Sequence, residues 1–186
     1  MAHGGDIIEE LTSDHREAEE VFRQITVLPS GHRDRKRLID HLTIQLVRHA
    51  VAEEQYLYPT VRERLPQGAA LADKEIRDHS TVEKLLKRLE ACAADDPQLD
   101  QLLMDVKEAV TSHVDDEENH LFPQVRRACS PEELAKLGDK VRMAKKAAPT
   151  RPHPAAPTAP PANKLLAPGL GLVDRARDYV SGRGRS

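Results

Sequence analysis

From residue 6 to about residue 127 the apolar side chains recur at helical spacing. Ile8, Leu11, His15, Ala18, Phe22 and Ile25 stand three and four apart, on one face of an amphipathic helix that Pro29-Ser30-Gly31 ends. A second stripe runs Leu38, Leu42, Leu46, His49, Glu53, Tyr56 and stops by Leu65-Pro66-Gln67-Gly68. The third runs Ala72, Ile76, His79, Val82, Leu86, Leu89, Ala93, and the fourth Leu99, Leu103, Val106, Val110, His113, Glu117, His120. Ser130, Pro131, Glu132 and Glu133 then cap and open a short further helix. Short loops between long helices make each antiparallel to the next. The expected fold is all-α: an up-down-up-down four-helix bundle of two duplicated helical hairpins, plus a short fifth helix.

Beyond Ala147 the pattern dissolves into PTRPHPAAPTAPPANK, which predicts a disordered Pro/Ala-rich linker, with one or two helical turns around Val173–Val180. The expected division is a bundle over 1–146 and a disordered linker and tail over 147–186. Residues 144–186 carry eight Lys/Arg against two acids, about +6, which leaves about −9 in the body. Such a tail offers a surface to a partner of unknown kind; a solubilising appendage is the simpler expectation, and nucleic acid is not the expected partner. Cys92 and Cys129 show no CxxC spacing and read as free thiols of a reducing compartment. No apolar run approaches the ~20 residues of a membrane span, so a soluble, cytoplasmic protein is expected.

Composition changes the picture at one point. With no Trp, two Phe and three Tyr, the core must be aliphatic, yet the chain holds nine His. His15, His49, Glu53, His79, His113 and Glu117 all occupy stripe positions where the period calls for apolar residues. A buried carboxylate without a partner costs several kcal/mol, so a compensating charge or metal is implied. His49/Glu53 and His113/Glu117 are i, i+4 pairs, one turn apart on the same face. From His15 to Gly31 is 16 residues and on to His49 is 18; from His79 to Asp96 and on to His113 is 17 each way. At ~1.5 Å per residue, both members of each hairpin return to nearly one level. The sequence also repeats at an offset of 64: Asp14-His15 onto Asp78-His79, His49 onto His113, Glu53-Glu54 onto Glu117-Glu118, Tyr58-Pro59 onto Phe122-Pro123. A pseudo-twofold metal site for two cations, bridged by the two carboxylates, is the expectation.

On these residues the chain resembles the hemerythrin-like HHE cation-binding family. The pattern H…HxxxE…H…HxxxE stands here as His15, His49-AVA-Glu53, His79 and His113-VDD-Glu117, with the EEQYLYP, EENHLFP and SPEEL runs, over about residues 6–145. The resemblance implies a non-haem centre of two Fe ions, oxo- or hydroxo-bridged; the ligand set itself favours iron over Mn or Zn. The family's oxygen carriers use an HxxxH pair on the third helix, whereas Glu75 and Glu83 flank His79 here. Reaction with hydrogen peroxide, oxygen or nitric oxide, including peroxide disproportionation, is therefore expected rather than oxygen carriage, with a small-molecule oxidant or gas as partner. The alternatives are an iron or gas sensor without turnover, and iron-sulfur cluster repair, although no cysteine-bearing module precedes Asp6. A ferritin-like oxidase would use Glu117-xx-His120, but the other half reads Glu53-xx-Tyr56.

Around the six ligands, Tyr56 and His120 lie seven residues beyond His49 and His113, hence on the ligand face of an α-helix, where either could bond to a metal-bound oxygen and His120 could be a ligand. Glu19 and Glu83, four residues after His15 and His79, could orient ligands. His3, His32, His41 and His153 read as surface residues.

Overall fold

The computed structural model describes residues 5–183, and all regular structure among them is helical. Helix α1 spans Ile7–Val27 and starts where Asp6 sets it. Asp6 Oδ1 accepts the Ile8 and Glu9 amides at 2.8 and 2.9 Å, and Glu9 Oε2 accepts the Asp6 amide at 3.0 Å. This reciprocal box satisfies donors that the first turn leaves free.

The next rod is continuous but not uniform. Helix α2 (Arg33–Ala52) passes through a π-helical turn, Glu53–Leu57, into α3 (Tyr58–Arg64). After α4 (Gly68–Ala91), α5 (Leu99–Asp116) does the same through Glu117–Leu121 into α6 (Phe122–Ala128). Pro59 and Pro123 explain the widened turns. A proline inside an α-helix removes an amide donor and presses its ring on the carbonyl four residues back. The π turn relieves this, with the Tyr58 and Phe122 amides bonding five residues back to the Glu53 and Glu117 carbonyls. Each extra residue rotates the downstream helix face by about 100° relative to an unbroken α-helix.

The hairpins α1/α2 and α4/α5 pack together, and the α3–α4 turn is tight. Gln67 takes a left-handed φ of 60°, and a Cβ on Gly68 would stand 2.0 Å from the Val61 carbonyl oxygen. Two apolar clusters fill the interior. One holds Leu11, Leu57, Val61, Leu121 and Val125; the other holds Ile25, Leu42, Leu86, Leu89 and Val106. Between Leu11 and Ala18, and between Val47 and Ala52, lie His15 and His49: the histidine layer separates the clusters.

The fifth helix is longer than expected. α7 runs Pro131–Ala147 behind a Ser130/Glu133 capping box and lies along α1 and α2. There Lys145 Nζ reaches Glu10 and Asp14, both at 2.7 Å.

The expected disordered linker and tail are not what the structure shows. Residues 148–161 form a strap, and α8 (Ala162–Ser181) docks on α7 and the first π turn. The reason is polar rather than apolar. Asp174, fully buried, accepts the Thr150 and Arg151 amides and contacts His153 Nε2 at 2.9 Å. Asp178 accepts from Thr150 Oγ1 at 2.5 Å and Arg151 Nε at 3.0 Å. Arg151 Nη1 reaches Glu90 of α4, Arg183 reaches Asp40 of α2, and the His153 amide donates to Glu83 of α4. Low hydrophobicity concealed a segment held by ion pairs.

Candidate metal centre

The six stripe residues predicted as ligands come together, all buried, with Glu53 and Glu117 fully so. His15 Nε2 and His49 Nε2 are 3.2 Å apart, as are His79 Nε2 and His113 Nε2. Glu53 lies between the pairs, Oε1 3.1 Å from His49 Nε2 and Oε2 3.2 Å from His79 Nε2. Glu117 Oε2 is 3.5 Å from His15 Nε2 and 3.6 Å from His113 Nε2. Each carboxylate thus serves imidazoles from both halves of the duplication.

The opposite edge of every ring is also held. His15 Nδ1 meets Glu118 at 2.7 Å, His49 Nδ1 meets Asp14 at 3.1 Å, His79 Nδ1 meets Glu54 at 3.1 Å, and His113 Nδ1 meets Glu75 at 2.9 Å. A carboxylate at Nδ1 keeps the proton there and turns the Nε2 lone pair inward, the arrangement metal-binding histidines use. Lys145 in turn anchors Asp14, and Arg16 anchors Glu118.

Glu53 Oε1 and Glu117 Oε2 are buried and accept no hydrogen bond among the described residues. Orphaned carboxylate oxygens facing four inward imidazole nitrogens are a donor set that lacks its acceptor, and cations fit it. Among the described residues three groups have ligand atoms close enough to share one ion: His15, His49, Glu53 and Glu117; Glu53, His79 and His113; and Glu75, His113 and Glu117. Without cations, protons take their place. Burial pulls His49 down, but Glu53 and Asp14 outweigh it and hold the ring's pKa at about 10. His79 is raised as well, against burial, by Glu53 and Glu54.

Beyond the six, the sequence reading named the wrong neighbours. His120 is exposed and pairs with Asp116 at 3.3 Å. Tyr56 lies under the Lys164 ammonium, 4.3 Å from its ring centre. Unbroken α-helical counting puts both on the ligand face, and the π turns rotate them off it. The same rotation brings in Tyr58 and Phe122. Tyr58 Oη lies 2.9 Å from His79 Nε2, donates to Glu117 Oε1 at 3.1 Å, and is 3.5 Å from Glu53 Oε2. Burial first, then the Glu117 and Glu53 charges, push this phenol well above its ordinary pKa, so it stays neutral. Phe122 stacks on His15 with centroids 5.9 Å apart.

Glu19 is exposed and pairs with Arg16; Glu83 faces the strap rather than a ligand. The ring-holding carboxylates went unassigned although Asp14, Glu54 and Glu118 all stood inside the 64-residue repeat. Glu75 had no such signal, since Leu11 is its counterpart. Among the other histidines, His41 is exposed, His32 caps α2, His153 is partly buried against Asp174, and His3 lies outside the described residues.

Fold and site together define a helical metal-binding bundle. The hemerythrin HHE cation binding domain family matches residues 6–125, and the chain belongs to it. An uncharacterised hemerythrin-like protein of Schizosaccharomyces pombe is 27% identical over 175 residues, covering 94% of this chain and 86% of that protein. A DNA nickase of Nostoc sp. is 31% identical over 101 residues, 54% of this chain but only 28% of the nickase. The crystal structure of a hemerythrin HHE cation binding domain-containing protein from Mycobacterium kansasii superposes with a TM-score of 0.67 at 23% identity, covering 76% of this chain and 85% of that one. No helix among the described residues is long and apolar enough to cross a membrane.

Proposed function

We propose that the centre holds two metal ions, iron before manganese or zinc, and that the protein reacts with or senses a small oxidant, with hydrogen peroxide first among peroxide, oxygen and nitric oxide. The observation that carries this reading is the position of Glu53 and Glu117. Each faces imidazoles of both halves and keeps one buried oxygen without a hydrogen bond. Two shared carboxylates between two imidazole pairs suit two adjacent cations, because each anion offsets charge on both. Iron bound there would supply a redox-active pair able to exchange electrons with an oxidant.

The chain's own residues supply the rest. Asp14, Glu54, Glu75 and Glu118 fix four ring orientations, so the Nε2 atoms are preorganised before any ion arrives. The apolar clusters above and below bound the layer along the bundle axis. Tyr58 holds an O–H at the depth of the ligands. Peroxide is favoured because its disproportionation (two peroxides giving two waters and one dioxygen) needs no outside reductant.

Metal analysis of freshly purified protein, paired with a peroxide-consumption assay on wild type and His49→Ala, tests the reading. About two irons per chain with catalytic peroxide loss is expected, and both should fall sharply in the variant. Two irons without peroxide loss would leave a binder or sensor; protein that takes up no metal would sink the proposal.

A further inference from the structure

A cavity of about 440 Å³ extends from the histidine layer to the C-terminal segment. All four ligand histidines border it; α2 and α4 wall it; the strap and α8 roof it. One water claims only ~30 Å³ of liquid, and small-molecule sites run to ~300–1,000 Å³. The space therefore exceeds what a diatomic gas or peroxide needs. Much of its lining is aliphatic, including Val47, Val82, Leu86, Val110, Leu166 and Ala167.

Its polar groups are unevenly satisfied. The bordering carboxylates are engaged: Glu10 with Lys145, Asp14 with His49, Glu54 with His79, and Glu83 with the His153 amide. By contrast, Gln45 Oε1, Arg48 Nε and Asn163 Oδ1, all on this lining, are buried without a hydrogen bond among the described residues. No carboxylate of the described residues comes within ion-pair distance of Arg48. Its charged neighbours are Arg175, which repels it, and Asp178, already bonded to Thr150 and Arg151. Two cations of the lining lack an ion pair among the described residues: the exposed Lys146, and the half-buried Arg48, whose planar guanidinium fork suits a carboxylate.

We propose that this chamber is a binding site for an amphipathic monoanion, an aliphatic carboxylate of medium chain length, with its head on Arg48 and its chain along the aliphatic lining. One half-buried unpaired cation beside several acids favours one negative charge over two. The amide nitrogens of Gln45 and Asn163 already donate to Glu17 and the Thr158 carbonyl, and their free oxygens only accept, so Arg48 alone donates to the head. The proposal goes beyond the oxidant reading and stands without it: the metal ligands form the floor of the chamber, not its anion site. An occupant would lie between the strap and the histidine layer.

Calorimetric titration of sodium decanoate into the full chain, as purified and after chelation, tests this. Saturable binding of about one decanoate per chain is expected in both states. Arg48→Gln should weaken it about tenfold, Arg48→Lys should recover much of the loss, and 1-decanol should bind Arg48→Gln and wild type alike. Ala167→Leu, which keeps Arg48 but fills the chamber, should weaken both ligands. Non-saturating heats, or equal decanoate affinity in wild type and Arg48→Gln, would overturn the proposal. Decanoate binding by protein that takes up no metal would sink the oxidant reading and leave this one; metal and peroxide chemistry without decanoate binding would do the reverse.

Discussion

Stripping the metal should leave a protein whose stability depends on pH in a definite direction. In the metal-free site burial pushes Glu53 up, but His49 and then His79 outweigh it, and the carboxylate is held well below its ordinary range. The same contact lifts His49 to about 10, against burial. An imidazole that binds its proton more tightly when folded stabilises the fold fully below its unfolded pKa of about 6.5, and loses that contribution as pH climbs through the folded value. A rise to about 10 for a buried ring corresponds to roughly 5 kcal/mol. His79, raised in the same direction, steepens the loss. Glu53 works oppositely: its contribution is present above the unfolded carboxylate pKa of about 4.5 and is lost on acidification. Stripped protein should therefore be most stable between about pH 5 and pH 6.5, and weaken above that by up to ~1.4 kcal/mol per pH unit for each proton involved. Urea midpoints of chelator-treated protein between about pH 6 and pH 9 measure this, and His49→Ala should flatten the alkaline limb. In loaded protein cations replace these protons, so the midpoint should stay level over the same range and metal should leave on acidification. A stripped protein whose midpoint rises from pH 6 to pH 9 would refute the reasoning, because its imidazoles would then be neutral without metal.

Three further outcomes are expected. Gly68→Ala should destabilise by about 2–4 kcal/mol in urea unfolding, since the new Cβ meets the Val61 carbonyl rather than a side chain that can move. Gly171→Ala places a Cβ 2.4 Å from the Ala147 carbonyl oxygen; hydrogen exchange across 162–181 should rise while metal content holds, and unchanged protection would show that α8 does not dock as described. Tyr58→Phe should keep its metal but lower the stability of stripped protein by about 1–3 kcal/mol, as His79 and Glu117 lose their contact with the hydroxyl; an unchanged urea midpoint would count against that contact.

The buried His/Glu layer was legible because it breaks a pattern. Six polar residues on four apolar stripes conflict with the helical period, and the 64-residue offset shows the conflict twice. The neighbours were lost at Pro59 and Pro123, where counting by 3.6 residues puts Tyr56 and His120 inward and the wider turn puts Tyr58 and Phe122 there instead. A proline five residues beyond a helical Glu-Glu was the available warning. The tail failed for a different reason. Composition measures how much apolar surface a segment can bury, whereas Asp174 and Asp178 tie α8 to strap residues more than twenty positions away, and Arg151 and Arg183 reach Glu90 and Asp40 on distant helices. No local window contains that information.

Duplication accounts for the inner shell but not for what surrounds it. Glu54 and Glu118 hold His79 and His15 as true counterparts across the pseudo-twofold. For the other two rings the halves differ: Asp14 holds His49, whereas its counterpart Asp78 turns to Lys74 and Glu75 holds His113 instead. Tyr58 offers a hydroxyl where Phe122 offers only carbon. α7 reinforces this difference from one side, because Lys145 binds Asp14. The chamber also approaches from the side of α2 and α4. Two cations held by matching ligands would thus sit in unlike surroundings, one beside a stacked phenyl ring and the other beside a neutral phenol. In a symmetric cage nothing would distinguish the two ends to an incoming molecule; here the outer residues do.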